Sequence, residues 1–455
     1  MQALYHDPYN PLFKQITDEK DLKSVLVASL LHDLGQYSLG HDIEETVPNS
    51  ILSDGRRWKD CLKHESLTSR WLVNPTPNAD GFTLSQIIEN KDWGWGISVQ
   101  DVKEVLESER EPKQGLLLPS KLKRGMLHSI IDGPLDVDKL DYLVRDSEHA
   151  QLTYGRSVDT DRLVRNLTIV LTVDENKHTV LTLGVYEKGL SAAESVTFAR
   201  YALYQALYWH HAVRAIRPML RHVFRECETL QRRESGKKRK PFNQVFDELL
   251  GVNNQPKSVG TRDMLRVIAS YTSEQGRELI EMIKARRFYK RLLTIHSHHE
   301  EEGKPSMLEN FRQYYLQTDF DKSLQEEIRN KLEAYVNSVE GPQPSVLAKD
   351  ACASVLSKLE VPGRVLCDCP MASVGSVQKL RFALEPKRLM QNYSSRVELG
   401  EHVSEVWQQV YFRLMDIASK GRIYCHPEVR DAIMAALGPD GIRAALKNVI
   451  AKHQT

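Results

Sequence analysis

Residues 29–41 read SLLHDLGQYSLGH, and the adjacent His32 and Asp33 stand at the end of an apolar run. An imidazole nitrogen beside a carboxylate oxygen suits a divalent ion such as Mn, Fe or Zn. Adjacent residues diverge on a regular helix, so both face one ion only where a helix ends or bends, and Leu34 and Gly35 supply that break. Taken alone, the dipeptide is more typical of a polar helix end, where the helix dipole favours histidine.

A second group of polar residues lies in DGPLDVDKLDYLVRDSEH, residues 132–149. A helix is predicted after Pro134, with Asp136 as its N-cap. The helix offers ligands for a metal and for a phosphate on one stripe, although a surface helix with i, i+4 ion pairs is the alternative. Two overlapping faces form this stripe: Lys139, Tyr142 and Asp146 at i, i+3, i+7, and Asp138, Tyr142 and Arg145 at i, i+4, i+7.

A third group lies in FARYALYQALYWHHAVRAI, within residues 191–221, which we predict to form one long helix. An arginine can grip a terminal phosphate in a fork, and a tyrosine one or two turns along can stack on a base or sugar. The alternative is an aromatic core stripe with a snorkelling arginine. The residues that share the face are Arg200, Tyr204, Tyr208 and His211.

Composition excludes several classes of protein. The 455 residues carry a formal net charge of +1, so no global field draws the chain to nucleic acid, and the basic run within 231–241 is a minority candidate for that role. No run of 18 or more apolar residues predicts a membrane span. The six cysteines form no zinc-type pair, so we expect free thiols and a cytoplasmic protein.

Strand-like runs are few against a mostly helical background. LTIVLTV and HTVLTLGVY, between residues 167 and 186, predict a β-hairpin around DENK. RVLCDCP and KLRFALEP, near residues 364–386, predict a second strand pair, with GRIYCH near 421–426 as a third partner. The predicted fold is therefore mostly α, with a small β-hairpin insertion and a smaller α/β C-terminal part.

The order and spacing of the polar motifs resembles a known family. His32-Asp33, the KHE at residues 63–65, the Asp-Val-Asp-Lys-x-Asp-Tyr-x-x-Arg-Asp at 136–146, and Arg200-x7-Tyr208-x-His210 resemble the HD-domain deoxynucleoside triphosphate triphosphohydrolases. This family includes the bacterial dGTPase-like enzymes and the mammalian SAM-and-HD-domain dNTPase. The resemblance covers about residues 20 to 430, and the 136–146 motif is its most specific part.

The resemblance implies a role for each matching residue. The divalent metal ion (Mn, Fe, Zn or Mg) would be bound by His32, Asp33 and Asp138. The catalytic residues would be His64, His41 and Glu44, where Glu44 pairs with a histidine. The substrate-binding residues would be Gln36, Lys139, Tyr142, Asp146, Arg200, Tyr208 and His210. Lys139 and Arg200 would hold the triphosphate, the two tyrosines would pack the sugar and base, and Asp146 would accept a hydrogen bond from the ribose 3′-OH.

The resemblance also implies a domain organisation and partners. An HD-domain catalytic core would span residues 1–230, followed by a flexible basic loop at 231–241. A helical extension would cover 242–345, and an α/β regulatory or oligomerisation part would cover 346–455. A dNTP substrate, an allosteric nucleotide and a homo-oligomer are the expected partners.

Two departures from the family pattern keep other functions open. The family carries a further histidine well before the HD pair, whereas the one upstream histidine here, His6, precedes DPYNP, which cannot start a useful helix. Either the chain starts at an internal Met or three ligands form the site. Gln36 replaces a frequent histidine and cannot shuttle a proton. An HD phosphohydrolase acting on another nucleotide and a catalytically impaired nucleotide-binding regulator therefore remain alternatives.

Overall fold

The computed structural model of the protein describes residues 1–37, 39–47, 57–107, 119–173, 178–233, 240–251, 258–297, 305–317, 319–338, 346–370, 381–384, 396–399 and 417–454. These residues are mostly helical and form two small sheets, which confirms the predicted fold class. In the part of the chain that is described, no helix combines the length and the apolar character needed to cross a bilayer.

Fourteen helices lie between Gln2 and Arg233 among the described residues. They are α1 (Gln2–Tyr5), α2 (Leu12–Ile16), α3 (Glu19–Leu31), α4 (His41–Thr46), α5 (Trp58–Cys61), α6 (His64–Leu72), α7 (Leu84–Glu89), α8 (Val99–Leu106), α9 (Pro119–Ile131), α10 (Val137–His149), α11 (Thr160–Arg165), α12 (Leu190–Leu203), α13 (His211–Arg214) and α14 (Ile216–Arg233) within the described ranges. Because α14 runs to Arg233, the first residues of the predicted loop 231–241 are helical. Residues 234–239 of that loop lie outside the described residues.

Seven further helices follow among the described residues after Lys240. They are α15 (Phe242–Leu250), α16 (Thr261–Ser270), α17 (Glu274–Lys284), α18 (Met307–Tyr314), α19 (Phe320–Asn337), α20 (Val346–Leu356) and α21 (Pro427–Gln454). Helix α21 is kinked at Gly438, whose φ of 57° and ψ of −176° are not helical, and Pro439 follows it.

The first sheet contains the predicted hairpin. Strands β1 (Leu167–Val173) and β2 (Thr179–Tyr186) pair antiparallel, with Leu167 opposite Val185 and Val173 opposite Thr179. The turn residues 174–177 lie outside the described residues. The sheet continues through β5 (Arg381–Leu384), which pairs parallel with β2, and β6 (Arg396–Leu399), in the order β1-β2-β5-β6.

The second sheet corrects the predicted strand pair near residues 364–386. Strand β4 (Val365–Asp368) pairs antiparallel with β7 (Gly421–Cys425), and β3 (Lys290–Ile295) covers the other edge of β7. β5, the predicted partner of β4, belongs instead to the hairpin sheet. The prediction was wrong because strand partners far apart in sequence follow from tertiary packing, which local alternation does not encode. The domain boundaries stay predictions, although each sheet joins segments from two of the predicted units.

The long helix predicted for residues 191–221 is interrupted. α12 ends at Leu203, a π-helical turn covers Tyr204–Tyr208, and two helices, α13 and α14, continue the chain. In the π turn the N–H of Trp209 donates to the carbonyl of Tyr204 at 2.8 Å, across five residues. A π turn inserts one residue and so rotates the helical faces before and after it by about 100°, which a reading of one continuous helix does not include. Such turns are frequent at functional sites.

Helix α14 is the element that positions the candidate site. Its apolar face, including Leu220, Val223 and Phe224, is fully buried in a core that also contains Ile43 and Val47 from α4 and its C-terminal end. The other contacts of α14 include β4 of the second sheet. The site helix α4 and the C-terminal sheet are therefore held by one scaffold helix.

Candidate functional site

The turn after α3 presents His32 and Asp33, and it is fixed from the side by Thr68 of α6. The Thr68 hydroxyl donates to the carbonyl of His32 at 2.8 Å and accepts from the N–H of Gly35 at 2.9 Å. A Cβ atom at Gly35 would lie 2.2 Å from the carbonyl oxygen of His64, so only glycine lets α6 approach this closely. Sequence reasoning missed Thr68, since a bridge to a residue 36 positions away leaves no local signal.

The three predicted metal ligands meet in space. Asp138 lies in the first turn of α10, and its Oδ1 is 3.3 Å from Nε2 of His32. The Oδ1 of Asp33 is 3.6 Å from the same nitrogen. One ligand atom from each residue lies within 4.8 Å of the others, which is close enough to share one ion.

The His32 ring has the orientation that is typical of a metal-binding histidine. Its Nδ1–H donates to the carbonyl of Ser29 at 2.9 Å, which turns Nε2 toward the two carboxylates. Nε2 is buried and faces the carboxylate oxygens of Asp138 and Asp33, at 3.3 and 3.6 Å. A backbone carbonyl that fixes the far ring nitrogen is a common outer-shell partner of metal-bound histidine, so the residues present fit a divalent ion.

Charges in this group are strongly coupled. The Asp138 carboxylate raises the pKa of His32 to about 9. Burial opposes ionisation of Asp138, but the His32 imidazolium outweighs it and leaves the pKa of Asp138 below its ordinary value. Without an ion, the pair is therefore an imidazolium beside a carboxylate. A metal ion binds the neutral imidazole, so it would replace the proton that His32 holds.

A second group adjoins the first and contains the three predicted catalytic residues. Glu44 of α4 accepts from Nδ1 of His64 at 2.9 Å and from Nδ1 of His41 at 3.3 Å. It also accepts from the backbone N–H of His64 at 2.9 Å. The His41 and His64 rings meet edge to face, with centroids 5.1 Å apart. One carboxylate thus orients two imidazoles.

Glu44 is ionised at every relevant pH. Burial raises its pKa, but the hydrogen bonds from His41 and His64 outweigh burial and lower the pKa to about 2. In return, Glu44 raises the pKa of His41. The group is therefore able to hold a proton near neutral pH, which suits acid or base chemistry.

Asp33 joins the two groups. Its Oδ1, 3.6 Å from Nε2 of His32, also lies 3.6 Å from Nε2 of His64. Gln36 reaches the far side, with its Nε2 3.4 Å from Nε2 of His41. A candidate metal centre and a pair of proton-carrying imidazoles are therefore direct neighbours.

Lys139 lies beside the metal group but is engaged locally. Its side chain is buried, and its ammonium donates to the Asp136 carboxylate at 2.5 Å and to the carbonyl of Gly133 at 3.0 Å. Asp136 is the N-cap of α10, as predicted, and accepts from the Lys139 N–H at 2.7 Å. Lys139 can therefore reach a phosphate only by sharing or leaving this pair.

An arginine and aromatic residues form the next part of the site. The buried Arg200 lies over the Tyr204 ring, 5.5 Å from its centroid. Tyr208 packs on Tyr204 and Tyr142, with centroids 5.2 and 6.0 Å apart, and its hydroxyl donates to Asp146 at 2.7 Å. The π turn places Tyr208 against α10. The structure therefore brings together four of the predicted substrate-binding residues: Tyr142, Asp146, Arg200 and Tyr208.

His210, although predicted to bind substrate, makes its described contacts at the start of α13 and not with the polar groups above. It is exposed and caps α13, with its Nδ1 accepting from the N–H of Ala212 at 3.4 Å. Its ring stacks near that of His211, with centroids 4.3 Å apart. The described contacts of His210 are thus at the start of α13.

Comparison with known proteins finds similarity to HD-domain proteins in part of the chain. Residues 158–314 match the family model described as "HD associated region". A protein of Acanthamoeba polyphaga mimivirus, described as HD domain-containing, is 22% identical over 212 residues, which are 46% of this chain and 38% of that protein. These findings support a relationship with HD-domain proteins.

The similar curated proteins also include two whose function is not characterised. The uncharacterized protein MJ1154 of Methanocaldococcus jannaschii is 24% identical over 274 residues, which are 60% of this chain and 44% of that protein. The uncharacterized protein YwfO of Bacillus subtilis is 25% identical over 213 residues, or 47% of this chain and 39% of that protein. The chain thus spans about two fifths of the length of the curated relatives it matches. Among solved structures, a phosphohydrolase from Bacteroides thetaiotaomicron superposes with a TM-score of 0.48 and 16% identity, covering 90% of this chain and 80% of that one.

Proposed function

We propose that this protein is a metal-dependent HD-domain phosphohydrolase that cleaves dNTPs to a deoxynucleoside and inorganic triphosphate. The observation that supports it most is the position of Asp33, 3.6 Å from the imidazoles of both groups. A site of this kind places a divalent cation next to a proton carrier, which is what phosphate ester hydrolysis by water requires.

The metal centre would be held by His32, Asp33 and Asp138. When bound, a divalent ion supplies positive charge that polarises a phosphate and acidifies water. The Ser29 carbonyl keeps the His32 ring in the orientation that presents Nε2. Thr68 keeps the turn that carries Asp33 in place through its two hydrogen bonds.

The imidazole pair would handle the proton of the attacking water. Glu44 accepts from Nδ1 of His64, so Nε2 of His64 faces Asp33 and the reaction space. The anionic Glu44 favours a protonated imidazole, which lets His64 or His41 accept a proton and later release it. Gln36 is a hydrogen-bond donor here and takes no part in proton transfer.

The substrate would extend from these groups along α10 and α12. Arg200 would neutralise phosphate oxygens from a buried position, where its charge acts strongly. Asp146, already bonded to the Tyr208 hydroxyl, would accept from the sugar 3′-OH. Tyr142 and Tyr208 would pack against the sugar and base, and a tyrosine at the place of a 2′-OH would exclude ribose sterically.

The test is the identity of the product. Each dNTP is incubated with the protein and Mn²⁺ or Mg²⁺, and products are identified by ³¹P NMR. Inorganic triphosphate is expected, and it should vanish in Asp138→Asn but persist in Asp141→Asn. Asp141 is a matched control because it is an exposed carboxylate one turn along α10, paired with Arg145. Release of pyrophosphate or orthophosphate, or no turnover with any dNTP, contradicts the proposal.

A second candidate is an HD phosphohydrolase that acts on a nucleotide with a shorter phosphate chain. The engagement of Lys139 by Asp136 and Gly133 favours it, because this leaves one fewer cation directed at a triphosphate tail. Under this alternative, nucleoside mono- or diphosphates would be hydrolysed faster than dNTPs, and orthophosphate would be the inorganic product.

A further inference from the structure

Helix α4 carries His41 and Glu44 but is too short to hold its own position. It has six residues, whereas isolated helices below roughly 12–15 residues are marginal in water. Gly40 precedes it with φ of 55° and ψ of −143°, and the extended Val47 ends it. His41 lies on α4 itself, so it is the placement of Glu44 against His64 of α6 that must come from tertiary contacts of α4.

The face of α4 opposite Glu44 makes those contacts. Successive helical residues are about 100° apart, so Asp42 points roughly 200° away from Glu44. The neighbouring Ile43 is fully buried in the core built on α14. Asp42 therefore faces α14 while Glu44 faces the histidines.

Two arginines meet this face: Arg214, the last residue of α13, and Arg217, in the first turn of the scaffold helix α14. Arg217 of α14 donates through Nε to Asp42 and through Nη1 to Glu45. Nη1 of Arg214 lies 3.6 Å from the same Glu45 carboxylate. The Arg217 and Asp42 side chains are 13% and 17% exposed, so solvent screens their attraction less than it screens a surface pair.

Arg214 is itself fixed. Arg214 makes a bidentate ion pair with Asp368 of β4, with both N···O distances 2.7 Å, and both side chains are 2% exposed. A bidentate pair of this kind restricts the guanidinium in position and orientation. The contacts thus run from β4 through Arg214 and Glu45 to α4.

We propose that Arg217 is a positioning residue for the His41–Glu44–His64 group. Through Asp42 and Glu45 it holds α4 at the distance and rotation at which the Glu44 carboxylate, already paired with His41 of the same helix, also reaches His64 of α6. Arg217 touches neither substrate nor metal ligand in this role, which rests on the proposed phosphohydrolase function. Loss of the clamp lets α4 shift, and the imidazoles then lose the orientation on which proton transfer depends.

The experiment compares Arg217→Gln with Arg225→Gln. Arg225 is a matched control because it lies on the same helix and ties it to another element, with Nη1 3.6 Å from Asp321 and Nη2 donating to the carbonyl of Leu316 at 2.6 Å. For Arg217→Gln we expect kcat to fall about 10- to 100-fold, the order of loss that a misplacement of catalytic groups by about 1 Å causes, with KM and bound metal unchanged. Arg225→Gln is expected to keep the wild-type kcat, and Arg217→Lys to recover part of it.

A second readout needs no activity. Amide hydrogen exchange of residues 41–47 is expected to be faster in Arg217→Gln and in Asp42→Asn, and unchanged in Arg225→Gln. Absence of turnover in the wild-type protein would overturn the proposed function, whereas this exchange pattern would still support the clamp. Wild-type exchange in Arg217→Gln, or equal loss of kcat in both arginine variants, would overturn the positioning role.

Discussion

The two polar groups of the site use the same residue types in opposite proportions. In the first, two carboxylates, Asp33 and Asp138, face one imidazole, His32. In the second, one carboxylate, Glu44, faces two imidazoles, His41 and His64. In each group, one ligand atom from each of three residues lies within 4.8 Å of the others, so spacing alone does not separate their roles. We propose that the first group holds the metal, because carboxylate oxygens suit ions such as Mn²⁺ and Mg²⁺, and that the second carries protons, because imidazole titrates near neutral pH.

The largest expected effect separates the groups by metal content. Asp138→Asn removes a charged ligand from the first group and should weaken metal binding by more than the roughly 100-fold typical of an outer-shell loss. Phosphohydrolase activity should disappear with the metal. Metal content is measured by inductively coupled plasma mass spectrometry after dialysis, with Asp141→Asn as the control. Equal metal content in both variants would contradict the assignment of the first group as the metal centre.

Glu44→Gln should affect the second group alone. The substitution keeps the shape of the side chain but removes the charge that orients both imidazoles. We expect kcat to fall about 100-fold, within the range of general acid–base catalysis, while the metal content stays at the wild-type level. Steady-state kinetics on metal-loaded protein measures the change. If Glu44→Gln loses metal as Asp138→Asn does, both groups contribute to binding the ion, and the proposed division of roles between them is wrong.

The same glutamate gives the second group a pH signature in stability. The pKa of Glu44 is about 2 in the folded protein, against an ordinary 4.5. Its contribution to the free energy of unfolding is therefore present in full above about pH 4.5 and is lost as pH falls toward 2, up to about 3 kcal/mol. Urea unfolding of wild type and Glu44→Gln should show a stability difference that shrinks over this window. A difference that is constant or grows on acidification would contradict the low pKa.

The smallest expected effect concerns the turn between the groups. Thr68→Val removes the hydroxyl that bridges His32 and Gly35, and loss of these buried hydrogen bonds should cost about 1–3 kcal/mol of unfolding free energy. Thr68→Ser keeps the hydroxyl and should retain most of the stability. Thermal unfolding of both variants measures this, and an unaffected Thr68→Val would show that the turn is held by other contacts.

The sequence predicted the helices that carry the site residues better than the tertiary contacts that hold those helices in place. The helix after Pro134 and its Asp136 cap were visible because capping and spacing are local properties. The convergence of Asp138 on His32 was expected from the family resemblance, and the structure brings the two together. The engagement of Lys139 and the contacts of Arg217 with α4 were not foreseen, since such pairs depend on tertiary packing and not on periodicity.

The strands show the same limit. The hairpin was predicted because its strands are adjacent in sequence. Near residues 364–386 the third partner, β7, was named correctly, whereas β5 was mistaken for the neighbour of β4. The allosteric nucleotide and the homo-oligomer stay predictions.

The most direct measurement of the division between the groups is the ligand environment of the bound ion. Pulsed electron paramagnetic resonance of the Mn²⁺-loaded protein reports imidazole nitrogens coupled to the metal. We predict a histidine signal that is lost in His32→Gln and unchanged in His64→Gln. A signal that survives His32→Gln, or disappears in His64→Gln, would contradict the assignment of metal to the first group and protons to the second.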